Sequence, residues 1–337
     1  MYLDAINMEN VSADIKDKTT EELVHDVEEA RQALRKLECE KDFKLFVQTY
    51  FKHLANKRIP AFHVEMMGLI QHMVEGVPEA NGVRVAGTVD TREQKNKGQG
   101  YDTPTTPSSE NIETLPQIFQ EKTDSLLTES INRLLFIAPR GFAKSTICSV
   151  FLPMWLALYK KRVDIFLVSS TISLSKELLR KIRLEFEENE LLLSDFGDQK
   201  SDKWTEEMLV LKNNVILRAK GRGFQIRGFR PDMIICDDLE DEEVIYSKEQ
   251  RDKLEEWFFR TLLPALKPDQ SLIYVGTNLH QFSLIGKLSK KDEFVARKWM
   301  ALTNGVSIWE DMWSTERLLK MKQEIGIYAF ESEYQNN

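Results

Sequence analysis

Residues 134–146 read LLFIAPRGFAKST, and no other stretch restricts the chain's fold so strongly. A short apolar strand, Arg133–Ala138, runs into a glycine-containing turn, and Lys-Ser-Thr then opens a helix. That order suits an anion. Backbone N–H groups of the turn converge on it, and the positive end of the helix faces it. Lys144 can reach the β- and γ-phosphates of a nucleotide, and the Ser145 hydroxyl can bind Mg²⁺. Pro139, Arg140, Gly141, Phe142, Ala143, Lys144, Ser145 and Thr146 are therefore the candidate nucleotide-binding set. The usual pattern, G-x-x-x-x-G-K-[ST], is not fully met. Ala138 and Ala143 stand at the two glycine positions, and Ala143 requires either ordinary backbone angles or some strain. The alternative reading is a strand–turn–helix corner with a surface lysine. Arg140 favours the nucleotide, because a guanidinium beside a triphosphate stabilises charge that develops in phosphoryl transfer.

A second segment, RPDMIICDDLEDEE (230–243), drives four apolar residues into the core and releases carboxylates at the strand's end. Asp237 is placed to hold Mg²⁺ directly or through water. Asp238 or Glu240 would orient and deprotonate an attacking water, and Asp238 is preferred because it directly follows the metal residue. Strict alternation sends Asp238 away from Asp237's side, so this role needs a turn at the strand end. Asp241, Glu242 and Glu243 read as an acidic surface turn. The stretch between Lys144 and Asp237 is long enough for one strand and a hairpin. Two halves of a phosphate site in the right order, each on a suitable strand, point to an ATPase with ATP and Mg²⁺ as ligands.

The remaining pattern is α/β. Strands are expected at 133–138, 164–169, 233–236 and 271–275, with a hairpin joining 210–211 to 215–219 through Asn213-Asn214. Helices are expected at 144–162 (kinked at Pro153), 172–193 and 247–266. Strands alternating with helices imply a mainly parallel sheet covered on both faces, with ligands at the carboxyl ends of its strands. Residues 19–41 form an amphipathic helix with Leu23, Val27, Ala30, Leu34 and Leu37 in one stripe, and two more helices within 42–75 are divided by residues 56–60. Gly, Pro, Ser, Thr and Asn dominate 76–115, read as a long mobile loop, with a short helix at 116–130. The chain thus divides into a helical N-terminal region (1–75), a mobile insertion or linker (76–130) and an ATPase core (131–337).

Composition sets outer bounds. The 337 residues are 42% hydrophobic and 30% charged, which excludes wholesale disorder. Forty-six basic against 54 acidic residues give −8, so a wholly basic nucleic-acid coat is excluded, though a local basic face is not. Basic residues cluster at 176–183, 212–230 and 287–298. Three separated cysteines give neither a disulfide frame nor a zinc site. The polar, acidic N-terminus is wrong for a signal peptide, and no apolar run approaches the ~18–20 residues that span a bilayer. A soluble, cytoplasmic protein without a membrane partner is expected.

With these motifs in place, the sequence resembles the large subunit of a tailed-bacteriophage terminase, in its N-terminal packaging ATPase domain. APRGFAKST resembles the family's variant Walker A, with an arginine just before the glycine. LVSSTISLSKELLRKIRLEFEENELLLSDFG resembles the strand and long helix that follow, and GRGFQIRGFRPDMIICDDLEDEE the Arg-Gly element leading into Walker B. QRDKLEEWFFRTLLPALKPDQSLIYVGTNLH resembles the helix and strand that end in the coupling motif, and FESEYQNN the end of the domain. Residues 43–75 and 131–337 are covered.

The resemblance implies a P-loop NTPase of the ASCE type, in which the strand at 271–275 lies between the Walker A and Walker B strands. Thr277 and Asn278 would then lie near the γ-phosphate and sense hydrolysis. His63 stands where the family has an adenine-side element, often with Gln. Arg222, Arg227 and Arg230 are candidates for an arginine entering the neighbouring subunit's site. The implied partners are double-stranded DNA, the portal protein, the small terminase subunit and further copies in a ring, usually of five, at the procapsid portal vertex in the host cytoplasm. The isolated domain can be monomeric. The family's ribonuclease-H-like nuclease domain would follow this segment, so DNA cleavage is not expected from these residues. Another P-loop translocase or helicase, or a non-catalytic nucleotide-binding scaffold, are the competing functions.

Overall fold

A computed structural model describes residues 19–76, 131–280 and 282–337. The insertion expected after residue 76 and the helix expected at 116–130 lie outside the described residues. The first helix, α1 (Thr20–Lys41), begins at a capping box: Thr19 accepts from the Glu22 amide, and Glu22 accepts from the Thr19 amide. Asp42 ends α1 and caps α2 (Phe43–Tyr50) by accepting from the Leu45 amide. Pro60 precedes α3 (Ala61–Glu75), which stops at Gly76 with φ 77°.

Strand β1 (Arg133–Ile137) leads through the glycine turn into a helix that is not regular. Residues Thr146–Phe151 form a widened π turn, continued by α4 (Leu152–Leu158). The Leu152 amide reaches back to the Ile147 carbonyl. Pro153 has no N–H and would press on the carbonyl four residues earlier, and the wide turn relieves that conflict. The helix ends at Leu158, short of the expected 162. After β2 (Asp164–Ser169), the helix expected over 172–193 is two: α5 (Ile172–Glu188) and α6 (Glu190–Phe196). Asn189 breaks it, leaving helical angles to cap α6 through the Leu192 amide.

The hairpin is longer than expected and has a third strand: β3 (Lys200–Trp204), β4 (Met208–Leu211) and β5 (Ile216–Gly221). KSDKW is too polar to announce a strand. Its charge suits a sheet edge. Next come β6 (Met233–Asp237), α7 (Glu242–Tyr246) and α8 (Lys248–Trp257), which runs into another π turn and a 3-10 turn around Pro264. The chain continues through β7 (Ser271–Gly276), α9 (Leu284–Leu288) and β8 (Val295–Lys298). A small hairpin, β9 (Leu302–Thr303) with β10 (Val306–Ser307), precedes α10 (Thr315–Ile325) and α11 (Ile327–Gln335).

The main sheet runs β3-β4-β5-β2-β6-β7-β1-β8. Strands from β5 to β8 in this order are parallel, and β3 and β4 extend the sheet antiparallel. β7 sits between β1 and β6, the strand order that the resemblance implies. Alternate residues feed two cores. Leu134, Phe136, Leu167 and Ile235 pack with Phe46, Met66, Trp155 and Ile182 from the helices of one face. Leu135, Ile137, Val168 and Cys236 pack with Leu254, Phe258, Leu262 and Ile285 on the other. Trp155 ties the N-terminal helices to the first core: its ring lies 5.1 Å from Phe43, and its indole N–H donates to the Cys39 carbonyl at 2.9 Å.

Trp155→Ala should therefore cost about 3–5 kcal/mol of stability, read as a lower urea midpoint with an intact transition.

Candidate functional site

The P-loop hangs between β1 and the C-terminal helices. The Ala138 amide donates to the Gly276 carbonyl (3.1 Å), the Arg140 amide to the Glu333 carbonyl (3.0 Å), and the Trp313 indole to the Gly141 carbonyl (3.0 Å). Gly141 has φ 76°, and a Cβ there would meet the Trp313 ring at 2.8 Å, so only glycine fits. Phe142 is buried and stacks on Trp313, with centroids 5.8 Å apart. Ala143 takes the strained alternative, a left-handed φ of 56°. Lys144 follows, buried to 6% exposure, and its Nζ lies 3.6 Å from Asp238 Oδ2. Ser145 Oγ donates to Asp237 Oδ1 at 2.8 Å. The loop and the acidic strand end, distant in sequence, thus meet.

Asp237 ends β6 fully inside the protein. Its Oδ2 has no hydrogen-bond partner. Burial, then the neighbouring Asp238 charge, pushes its pKa up to about 6, against the lowering pull of Ser149, Lys144 and Ser145. An orphaned buried carboxylate oxygen next to a P-loop serine fits a divalent cation shared with a nucleotide. Among the described residues, no cluster of three or more His, Cys, Asp or Glu would hold a metal alone. Asp238 has φ 45°, and this reversal turns its side chain back toward Lys144. A Cβ on Gly276 would lie 3.3 Å from Asp238 Oδ1, so the carboxylate also borders the end of β7.

Glu240 is placed differently from its expected catalytic role. It accepts the Leu284 and Ile285 amides (2.6 and 3.0 Å) and the Tyr274 hydroxyl (3.1 Å), so it binds the first amides of α9 beside the N-cap Ser283. Burial raises its pKa, while those bonds pull the other way. Arg140 also departs from expectation. Its side chain is exposed and extends toward Glu333 (3.5 Å), away from Lys144's pocket.

Thr277 Oγ1 donates to the Ala138 carbonyl at 3.3 Å, so it borders the P-loop strand. The Asn278 amide group is used elsewhere: Oδ1 accepts from Ser283 Oγ and Nδ2 donates to the Asn336 carbonyl. Arg222 donates to the Leu239 carbonyl (3.0 Å) and pairs with Asp241 (3.1 Å) within the chain. Arg230 is exposed and donates to the Phe229 carbonyl, and Arg227 is exposed with no acidic partner among the described residues.

A cleft of about 600 Å³ opens beside Lys144, Ser145 and Thr146. Its far wall is the 53–60 loop, and His63, Trp309 and Met312 contribute too. His63 is buried, holds the Phe142 carbonyl at 2.9 Å, and stands 4.8 Å from the Trp309 ring. Burial lowers its pKa to about 4, so it is neutral and donates through Nε2. Trp309 and Met312 were missed from sequence. The only trace was a run of aromatics, Trp299, Trp309 and Trp313, with no spacing to give it meaning.

No family model matches the chain, and no curated protein does. The solved structures that the chain matches include phage large-terminase ATPase domains. The ATPase domain of the Thermus phage P74-26 large terminase superposes with TM-score 0.44 at 11% identity, over 63% of this chain and 91% of that one. A mutant of the same domain gives 0.45 at 12% identity with the same coverage. The HK97 bacteriophage large terminase gives 0.45 at 11%, over 62% of this chain and 47% of that one. The chain's own residues carry the functional reading.

Asp237's raised pKa means that the folded state holds its proton more tightly than the unfolded chain. Folding therefore loses stability as pH rises from about 4 through 6, and the loss is complete above that. Asp237→Asn should accordingly stabilise the ligand-free protein at pH 7.5 by on the order of 1–3 kcal/mol. The gain should vanish below pH 4, as measured by thermal melts across pH.

Proposed function

We propose that this chain is the ATP-hydrolysing motor domain of a viral terminase large subunit, driving double-stranded DNA into a procapsid. The supporting observation is the double meeting of Lys144 with Asp238 and Ser145 with Asp237 beside the cleft. In this reading the backbone from Pro139 to Thr146 cradles the phosphates, and the base lies between the 53–60 loop and Trp309. Ser145 and Asp237 would hold Mg²⁺, which would neutralise phosphate charge. A γ-phosphate entering beside Lys144 takes over the ammonium and leaves Asp238 to accept a proton from the attacking water. Water's oxygen bonds to the γ-phosphorus as the bond to the β–γ bridging oxygen breaks, giving ADP and phosphate. Asp238 fits the base role because it is accessible and lies beside Lys144, whereas Glu240's acceptors are used. Thr277 is the surviving candidate sensor.

Among the arginines, Arg227 fits a neighbour's site best, since Arg222 is held within its own chain. For DNA, the loop at 222–230 is favoured over 176–183, where Lys176 pairs with Glu207 and Arg180 with Glu177. Phosphate contacts of this kind tolerate any base sequence and weaken with salt. The portal protein, the small terminase subunit and a five-membered ring in the host cytoplasm complete this proposal.

Mg-ATP turnover tests it. Lys144→Ala should abolish phosphate release with the circular dichroism spectrum unchanged. Asp238→Asn should lose about 10²–10⁴-fold, while Glu240→Gln keeps most of the rate and melts earlier. Absence of turnover by the wild-type chain under all conditions, DNA included, would refute the motor. Strand displacement would favour a helicase.

If Arg227 acts between subunits, mixing inactive Lys144→Ala with Arg227→Ala protein should recover part of the DNA-stimulated rate. Equal loss in the mixture and in each variant alone would exclude the trans role.

A further inference from the structure

Among the described residues, six buried side-chain polar atoms have no hydrogen-bond partner, and three of them, Ser149 Oγ, Ser169 Oγ and Asp237 Oδ2, converge on one place. Three elements bring them there. β2 and β6 pair in parallel, with Ser169 opposite Asp237 in the register. Alternation puts both side chains on the face to which Ile165, Leu167, Met233 and Ile235 contribute, the face covered by the helix that follows the P-loop. Ser149 lies in the π turn of that helix, four residues after Ser145 and so on the same side. Ser145 already donates to Asp237 Oδ1. Against burial and the Asp238 charge, the Ser149 hydroxyl is close enough to pull Asp237's pKa down. Backbone bonds hold the end of β2 in place: the Ser170 amide donates to the Asp238 carbonyl (3.2 Å) and the Arg222 amide to the Ser169 carbonyl (2.8 Å). Ser149, Ser169 and Asp237 are 0%, 2% and 4% exposed, so bulk water does not serve them.

We propose that Ser149 and Ser169 are positioning residues for Asp237: their hydroxyls donate to its carboxylate and hold it in the orientation in which it takes Mg²⁺. This rests on the nucleotide-site reading above. A carboxylate offers about four acceptor sites, and Ser145 uses one of Asp237's. A cation that takes another leaves room for both hydroxyls. The chemistry of the donors matters. A lysine or arginine at either place would neutralise Asp237 and compete with the cation. A hydroxyl holds the carboxylate and leaves its charge for the metal. The two serines approach from a helix and from a strand, so the carboxylate is held from two directions. Hydrogen bonds onto a ligating carboxylate orient it, and losing them weakens metal binding by about 10–100-fold.

Binding of a fluorescent ADP analogue to the whole chain, with Mg²⁺ titrated in or removed by EDTA, tests it. Ser149→Ala and Ser169→Ala should each raise the Mg²⁺ concentration for half-saturation about 10–100-fold and leave the affinity in EDTA unchanged. Without nucleotide, both variants should melt no lower than wild type, because neither hydroxyl has a partner to lose. Ser169→Thr keeps the hydroxyl and should restore the Mg²⁺ response, whereas Ser169→Cys, similar in size but a weak donor, should not. Ser175→Ala removes a buried hydroxyl that donates to the Lys220 carbonyl, and should lower the melting temperature with the Mg²⁺ requirement unchanged. An unchanged Mg²⁺ requirement in either Ser149→Ala or Ser169→Ala overturns the proposal. So does an equal loss of affinity with and without Mg²⁺, which would make the serines packing residues only. A wild-type chain that binds no nucleotide, or binds it equally well in EDTA, refutes the nucleotide-site reading itself. Mg²⁺-dependent binding by wild type with indifferent serines sinks this inference alone.

Discussion

The structure depends on keeping one ammonium and two carboxylates together at the carboxyl ends of neighbouring parallel strands. Lys144 and Asp237 are both buried, and removing such charges from water costs several kcal/mol each unless partners replace the solvent. A loop could not hold that arrangement. The sheet does, because β1 and β6 are both hydrogen-bonded to β7, which fixes their relative register along their whole length. The compensation is incomplete. Asp237 keeps one oxygen without a hydrogen-bond partner, so the fold carries an unfavourable buried group that a cation would satisfy. This is the pattern expected where stability has been given up for binding.

Backbone strain completes the same site. Ala143 and Asp238 are non-glycine residues with left-handed φ angles, one immediately before the lysine and the other its carboxylate partner. Each costs on the order of 1–2 kcal/mol. At Asp238 the distortion has a visible result. An extended residue after Asp237 would point to the opposite face of the sheet, whereas the reversed one returns its carboxylate to within 3.6 Å of Lys144. At Ala143 a glycine would remove the strain, and the loop holds its shape instead through Phe142, which is clamped by Trp313 and by the His63 bond.

Much of this was legible in the sequence. Apolar runs flanked by turn residues identified β1, β2, β6 and β7, because strands buried on both faces leave continuous hydrophobic stretches. The Lys-Ser pair and the acids after MIIC marked two segments that the fold brings together. What failed did so for physical reasons. β3 is a polar edge and β8 is only partly buried, so neither has the expected pattern. Glu240 stood as the second candidate after Asp238, since composition does not reveal that two amides of α9 and a tyrosine hydroxyl occupy it. Arg140 and Asn278 were assigned by position in a motif, but their side chains answer to Glu333, Ser283 and Asn336. Glu333 and Asn336 are too far along the chain for any local pattern to reveal.

Those same long-range bonds give the C-terminal helices a place in the site. α11 accepts the Arg140 amide through the Glu333 carbonyl. One residue beyond it, buried Asn336, with φ 58°, accepts the Asn278 amide through Oδ1 at 2.9 Å and donates from Nδ2 to the Trp299 carbonyl at 2.8 Å. Ser332 donates to the Leu279 carbonyl from the same helix. One short helix is thus bonded both to the loop that would enclose the phosphates and to the segment that follows β7. A displacement of either segment must be shared with the other or must break buried hydrogen bonds, and an unmet buried group costs about 1–3 kcal/mol. Interfaces of this kind pass small shifts on rather than absorb them, because close-packed interiors have little room to deform. The geometry at Lys144 and the position of α11 are therefore mechanically one quantity.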